Sequence, residues 1–383
     1  MGRFDLTDKE WQRIEPVCPS GRGRKGHPSD TRRFVDAVLY RLRVGTPWRD
    51  LPPDYGNWHT IYVRYMDWCR RGIWQHLFEV LAARPNLTTV SLDSTFVRCH
   101  RAAHGDVIRL GDLHFLVLRD EAERRFGLED PKFWVKRCRW LETGERKILK
   151  LVFHESFPMT IGSMTVTCTR SPRKESRLLD LVRGDRRFMQ GETVFDDHGN
   201  PVRILDLVSG KRLDERIEAL ETTHEDYFTR LFPDILARFI EACRAIGWLH
   251  SQGEKHGDIR RDHLYVDYDD GHYCWIDFDY TFDFRESPFG LDLFGLGNIL
   301  QFITGMGVHT VQALPPECAG RITPVDCSIM FGNRVVNLQK LFPYIPTELN
   351  NVLRRFSLGA NVYYDTTEDL IHDLETAHLA LGR

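Results

Sequence analysis

The stretch from His256 to Asp279, HGDIRRDHLYVDYDDGHYCWIDFD, decides how the rest of the chain is read. Leu264, Tyr265 and Val266 form a short apolar run, Asp270-Gly271 is a hairpin turn signal, and Tyr273 to Ile276 is the return strand. Asp258 stands in a loop before the first strand, and Asp277 at the end of the second. Two hairpin-linked strands hold such carboxylates on opposite sides of one pocket. Phosphoryl transfer needs that pair: one carboxylate orients the attacking hydroxyl, and the other holds magnesium on the nucleotide phosphates. An ordinary hairpin with surface aspartates is the bland alternative, and His-Gly-Asp alone would favour it.

His-Gly-Asp, the hairpin and Ile-Asp-Phe-Asp, in that order, resemble the catalytic and metal-binding loops of protein kinases and aminoglycoside-phosphotransferase-like enzymes. The resemblance extends outward over about residues 127–383. Residues 133–153, FWVKRCRWLETGERKILKLVF, read as a hairpin with an Glu-Thr-Gly-Glu turn and resemble the second and third strands of a kinase N-lobe. Lys150 then matches the lysine that holds nucleotide phosphates. A lysine inside an apolar strand needs a partner. Glu175, in the helical pattern KESRLLDLV, is the candidate, with Glu155 and Asp180 as competitors and a solvent-facing Lys150 as the bland alternative. VRILDLV, residues 202–208, leads to Ser209-Gly210-Lys211, a hinge between lobes with Ser209 at the nucleotide. Tyr227 to His250 is spaced as one long buried helix, with Gly253 as its C-terminal cap. Its end, running into His256, resembles the kinase helix before the catalytic loop. In SPFGLDLFGLGNIL, Asp292 matches a buried aspartate that accepts backbone hydrogen bonds from that loop, so Asp292 and His256 are expected to be structural.

Departures accompany the match. The glycine-rich phosphate loop is missing; GLEDPKF stands in its place, and only Gly127 remains. Close backbone approach to phosphates needs glycine. His263 replaces the asparagine expected as second magnesium ligand. Magnesium prefers oxygen, so His263 either bonds within the loop or leaves a one-metal site. Asp279 replaces a glycine and is read as an added metal ligand or a solvent-facing side chain. Arg260 keeps positive charge where kinases often place a lysine against the transferred phosphate. The short span from Asp277 to Asp292 resembles small-molecule phosphotransferases more than protein kinases.

The front of the chain reads differently. Residues 1–105 carry 17 Lys and Arg against 11 Asp and Glu, and the remainder carries 35 against 44. A basic front and an acidic rear imply two pieces with different partners. Thr7 and Glu10 form a capping box for a helix from Asp8. A basic glycine-rich linker spans residues 20–29, a second helix starts near Asp30 and ends at Gly45, and two more cover about 58–71 and 73–83. Such helices fit a helix-turn-helix nucleic-acid binder, or a bundle whose arginines are merely solvated. FDLTDKEWQRIEP, the Gly-x-Pro-Trp-Arg-Asp-Leu-Pro turn and its spaced tryptophans resemble the N-terminal region of DDE-type insertion-sequence transposases. Residues 90–105, VSLDSTFVRCHRAAHG, continue the match, and Asp93 corresponds to the first acidic metal ligand of that family's RNase-H-like domain. From residue 106 the match stops.

Composition bounds the rest. The chain has 383 residues, 42% hydrophobic and 28% charged, enough for two or three globular domains. No apolar run approaches a membrane span and the first residues lack a signal-peptide core. Nine cysteines without a Cys-x-x-Cys pair fit a reducing cytoplasm. The expected architecture is multi-domain: a small all-α helix-turn-helix-like domain (1–88), the first strand of a truncated RNase-H-like domain (89–105), a junction (106–126), and an α+β two-lobed kinase-like fold with an N-lobe (127–211) and a C-lobe (212–383). The expected activity is ATP- and magnesium-dependent transfer to an unknown hydroxyl acceptor, small molecule or protein. The rivals are a pseudokinase binding or scaffold module and a DNA-binding, transposase-derived protein in which residues 1–88 bind DNA weakly.

Overall fold

A computed structural model describes residues 8–19, 30–44, 48, 51–71, 73–74, 77, 102, 104–125, 128–162, 164–197, 199–284 and 287–381. Thr7, the linker 20–29, Gly45, most of the helix at 73–83, Asp93 with its strand, and Gly127 lie outside these residues. The chain divides into two units, residues 1–93 and 94–383.

The first unit contains α1 (Asp8–Ile14), α2 (Thr31–Val44) and α3 (Trp58–Arg70). Asp30 accepts the Arg33 amide at 2.9 Å and Asn57 accepts that of His59 at 3.0 Å, so a side chain caps the start of each longer helix. Phe34, Val35 and Val38 recur at helical spacing and are buried. Phe34 meets Trp68 edge-on at 4.9 Å, and Trp68 lies 5.3 Å from Trp74. The tryptophans therefore build a core, and Trp48 of the proline-rich turn joins it against Tyr62 and Tyr65. Arg64 lies over Phe34 at 4.3 Å and donates to Thr31 Oγ1 at 2.7 Å, so this arginine is not merely solvated.

The second unit opens with β1 (Val107–Leu110), β2 (Leu113–Arg125), β3 (Leu128–Trp140), β4 (Arg146–Lys150), β5 (Ser156–Ile161) and β6 (Met164–Arg170). There follow α4 (Pro172–Leu181), β7 (Gly191–Phe195), β8 (Pro201–Asp206) and β9 (Gly210–Arg212). An antiparallel six-stranded sheet runs β1-β2-β3-β4-β8-β7. Residues 106–126 are thus not a junction. Ile108, Leu110, Phe115 and Val117 alternate into the sheet's core, the period-two signature of half-buried strands. The β3–β4 hairpin forms as expected, with Gly144 at φ +78° in its turn.

The start of this unit also precedes residue 106. The buried Lys136 ammonium donates to Asp120 Oδ1 at 2.7 Å and to the Ala102 carbonyl at 2.8 Å, and the Gly105 amide donates to Val117 O at 2.9 Å. A chain beginning at Ser94 is therefore expected to out-melt one beginning at Asp106, by about 1–3 kcal/mol of stability from the lost acceptor. Equal thermal midpoints would show that residues 102–105 contribute nothing.

After β9 come α5 (Leu213–Glu218), α6 (His224–Arg230), α7 (Phe232–Ser251), β10 (Leu264–Asp267), β11 (Tyr273–Trp275) and β12 (Tyr280–Phe282). Then follow α8 (Gly290–Thr304), α9 (Pro316–Ala319), α10 (Thr347–Arg354) and α11 (Thr367–Leu381). The single helix expected over Tyr227–His250 is two. Pro233 lies in the first turn of α7 and has no N–H to continue the ladder, while the one-residue break keeps the apolar spacing nearly in phase. α7 carries a fully buried apolar face, including Leu236, Phe239, Cys243 and Ile246, at the centre of the largest core. Among the described residues no helix is long and apolar enough to cross a membrane.

Two small sheets complete the frame. After β8 the chain leaves the large sheet and β9 pairs with β10, giving the order β11-β10-β9, so the segment expected as a hinge is a crossover between sheets. β5 and β6 form a hairpin that no reading of the sequence anticipated, and β12 adds to it in the order β12-β6-β5. The chain immediately after Asp279 is thereby held as a strand.

Candidate active site

Lys150 ends β4 with its side chain 4% exposed. Its ammonium donates to Glu175 Oε1 at 2.8 Å, lies 2.9 Å from Asp279 Oδ2, and also donates to Asp277 Oδ1. Glu175 comes from α4, started by Ser171, whose hydroxyl accepts the Lys174 amide, and by Pro172. The second Glu175 oxygen accepts from Arg203 Nε at 2.9 Å, so this buried carboxylate is satisfied on both sides. The competitors lie elsewhere: Asp180 pairs with exposed Arg183, and Glu155 accepts from Tyr280. Burial opposes the charge on Lys150, but Asp277, Asp279 and Glu175 outweigh it and hold the ammonium above its ordinary range.

The hairpin pairs Leu264 with Trp275 and Val266 with Tyr273; Asp277 at its end lines the cleft, whereas Asp258, in the loop before it, is not among the cleft's lining residues. His263 stands between the two carboxylates. Its Nδ1 donates to the Asp258 carbonyl at 3.0 Å and lies 3.4 Å from Asp258 Oδ2, while Nε2 lies 3.6 Å from Asp277 Oδ2. It therefore makes the hydrogen bond within the loop that was one of its two expected roles. Asp277 sits at φ +61°, a left-handed conformation in which a non-glycine residue is strained. Burial raises the Asp277 carboxyl's proton affinity, but Lys150 and Lys132 overcome this and hold it well below the usual range. At Asp258 burial wins over His263 and Arg260, and the carboxyl is raised. Two carboxylates joined through one imidazole are thus pushed in opposite directions, the pattern that separates a proton acceptor from a permanent anion.

The supporting shell is denser than the sequence suggested. Asp292, at the start of α8, accepts the His256 and Gly257 amides at 2.7 and 2.8 Å, and His250 Nε2 lies 3.1 Å away. Gly257 has φ +86°, and a Cβ there would fall 1.8 Å from the Tyr280 carbonyl oxygen, so β12 packs where only glycine allows. Lys174, unread in the sequence, spends its three donors on the carbonyls of His256 (2.7 Å), Phe278 (2.9 Å) and Tyr280 (2.7 Å). Burial pushes its ammonium down to about 8. Asp279 does not point to solvent. It is fully buried against Lys150 and Arg170, and Arg170 in turn reaches Tyr280 and Glu155.

The His256 ring is also fully buried, beside Trp275 and Phe278, and burial pushes it down to about 3 from 6.5. Unfolding restores its ordinary affinity, so between these values the unfolded chain holds one more proton than the folded chain. Stability contributed by the neutral ring is complete above the unfolded value and is lost as pH falls below it, by at most about 1.4 kcal/mol per pH unit. His256→Asn should flatten the fall in thermal midpoint between pH 6.5 and about 4.5. The same slope in the variant would place that proton elsewhere.

A cleft of about 430 Å³ opens over these groups, with Val135, Ile148, Leu205 and Ile276 as apolar walls and Lys150, Asp277, His263 and Arg260 as polar ones. Ser209 is exposed in the crossover and does not line it. Arg260 faces Asp262 at 2.6 Å, with its Nε 3.9 Å from Asp258. Oxygens of Glu175, Asp277 and Asp279 lie within 4.8 Å of one another, a spacing that suits a cation. The Lys150 ammonium touches all three and is that cation. Of the residues expected to hold magnesium, Asp277 suits it best, as an oxygen donor whose side chain is 16% exposed and lines the cleft.

Residues 6–78 match the family described as "Putative transposase of IS4/5 family". The chain is 38% identical over 101 residues to the uncharacterized protein y4sN of Sinorhizobium fredii, covering 26% of this chain and 81% of that protein. It is 33% identical over 91 residues to the insertion element IS402 uncharacterized 16.2 kDa protein of Burkholderia cepacia, covering 22% of this chain and 62% of that protein. Among solved structures, the PknI kinase domain of Mycobacterium tuberculosis superposes with a TM-score of 0.43 at 13% identity, covering 72% of this chain and 98% of that one. The insertion-sequence resemblance of the front end is borne out over residues 6–78.

Proposed function

Through residues 6–78 the chain belongs to the IS4/5 transposase family, and for the separate unit that follows we propose a phosphotransferase that uses ATP and magnesium, with a two-lobed kinase-like fold. The observation that carries this reading is one connected cluster: Lys150 binds Glu175 and Asp277, and His263 joins Asp277 to Asp258, with Lys150, His263 and Asp277 lining the cleft. Asp258 orients the acceptor hydroxyl and receives its proton. Asp277 holds magnesium, which when bound neutralises phosphate charge. Lys150 holds the phosphates, and Glu175 keeps its ammonium in place. Asp292, through the His256 and Gly257 amides, sets the loop that carries Asp258. Incubation of residues 94–383 with ATP, magnesium and a panel of hydroxyl acceptors tests the reading. Magnesium-dependent nucleotide binding with phosphate transfer or release supports it, and no nucleotide binding overturns it.

A second reading, a nucleotide-binding module without turnover, draws on one observation: Asp277 already faces two lysines, Lys150 and Lys132, as well as His263. ATP binding without transfer would select it. For residues 1–88, family membership and the basic helices support weak DNA binding through phosphate contacts, which salt should abolish steeply. Strand cleavage is not part of this proposal, because a DDE site needs three carboxylates astride two metals and the match ends after residue 105 with Asp93 alone.

A further inference from the structure

Strand β3 contains an irregularity whose product points into the cleft. Asp120 pairs with Lys136, and the next pair along the ladder is Glu121 with Lys132. β2 advances one residue while β3 advances four, so residues 133–135 form a bulge. Val135 and Arg137 line the cleft in regular alternation, and continued alternation would bring Phe133 there next. Instead Lys132 lines the cleft, while Phe133 is 38% exposed with its ring edge-on to Phe153. Bulges re-aim side chains and are over-represented beside active sites. Here the bulge exchanges a phenylalanine for a lysine at the cleft.

The lysine so placed has a definite position. Its Nζ lies 3.6 Å from Asp277 Oδ2, while Lys150 takes Oδ1 of the same carboxylate. Two ammonium groups from two strands therefore flank the carboxylate proposed to carry magnesium. Lys150 is also bound by Glu175 and Asp279 and is 4% exposed, whereas Lys132 is 18% exposed. The sequence lacks the turn that would cradle phosphates with glycine amides, and Lys132 lies on β3 within GLEDPKF, the segment that stands in its place. We infer that Lys132 binds the terminal phosphates of the nucleotide, supplying from a side chain the positive charge that backbone amides of a glycine-rich turn would supply. The inference rests on the phosphotransferase reading and deepens it. A compact ammonium suits phosphate as a point charge and demands little of the backbone beside it.

The test is calorimetric binding of ATP with magnesium, and of adenosine, to the full chain, to Lys132→Met and to Lys132→Arg. Lys132→Met should weaken ATP binding roughly tenfold or more, the loss of one charge-assisted contact. It should leave adenosine binding unchanged, and Lys132→Arg should retain most of the ATP affinity. ATP affinity in Lys132→Met equal to wild type would overturn the inference while leaving the phosphotransferase reading intact. A parallel loss for adenosine would also overturn it, by showing that the residue acts on the shape of the cleft. No ATP binding by the wild-type chain would overturn the phosphotransferase reading and this inference together.

Discussion

Replacing Asp258 with asparagine is expected to lower phosphoryl transfer by about 10²–10⁴-fold, the range for a positioned general base, while magnesium-dependent ATP binding stays nearly unchanged. The substitution keeps size and polarity, so the loop held by Asp292 should persist. What is lost is a proton acceptor. Asp258 lies across His263 from Asp277 rather than beside Lys150, so its charge acts on the acceptor more than on the nucleotide. Burial raises its carboxyl against the opposing pull of His263 and Arg260. The wild-type rate should therefore fall on acidification at a higher pH than for an ordinary aspartate, because protonated Asp258 cannot accept the hydroxyl proton. That acid limb should vanish from the residual rate of the variant. Equal transfer by wild type and Asp258→Asn would sink the proposed role of Asp258, and ATP binding with no transfer by either would leave the non-catalytic nucleotide-binding module as the better account.

The central carboxylates were legible because short-range chemistry fixes them. Asp270-Gly271 sets the hairpin, the hairpin sets its register, and the register sets where Asp277 emerges, while His-Gly-Asp marks the loop, held by Asp292, that carries Asp258. Lys150 was legible for a similar reason: the Glu-Thr-Gly-Glu turn fixes the strand, and an apolar strand that ends in lysine needs a buried anion. What stayed hidden depends on contacts distant in sequence. Lys132 enters the cleft only because β3 bulges against β2, and strict alternation assigns that place to Phe133. β5 was obscured by Pro158 within the strand, which the sheet accepts because β5 lies at its edge. Asp279 was read as a ligand or a surface residue because its neighbour Arg170 comes from that unread hairpin, 109 residues earlier. The break between α6 and α7 was masked by apolar spacing that runs across it almost in phase, although Pro233 marked it.

Lys174 belongs to the same hidden class, and it changes how the site is understood to be held. A helix that carries the lysine's partner glutamate is otherwise free to swing away from the loop it serves. Here the residue beside Glu175 binds the Phe278 and Tyr280 carbonyls on either side of Asp279 and the His256 carbonyl of the loop that carries Asp258, and β12 is fixed by pairing to β6. The ion pair and the two loops are assembled as one piece, before any ligand arrives.

Lys150→Met is the substitution expected to do most damage, because it removes the cation on which three carboxylates converge. Glu175 and Asp279 have no solvent exposure, and Asp277 has little. Removing one partner of a buried ion pair typically costs about 3–5 kcal/mol, which for a unit of this size is roughly 10 °C in the thermal midpoint. Arg203 and Arg170 remain and will hold Glu175 and Asp279 in part, so the loss should not run to complete unfolding. The acid side of the stability curve should change as well. Asp277 and Asp279 are both held below the ordinary carboxylate range, burial being outweighed chiefly by Lys150. Their stabilising contribution is present above the unfolded carboxylate value near 3.8 and is lost as pH falls through the lowered folded values. Without Lys150 that loss should begin at higher pH. Coupling Lys150→Met to Glu175→Gln removes one of the carboxylates that lost this cation while leaving an amide oxygen for Arg203, and the pair should be more stable than the sum of the single losses implies. Phosphoryl transfer should stay absent in the double variant even where stability returns, because the phosphate-holding ammonium is still gone. Recovery of both together would reduce Lys150 to a structural residue. A single variant as stable as wild type would mean that the three carboxylates do not depend on it.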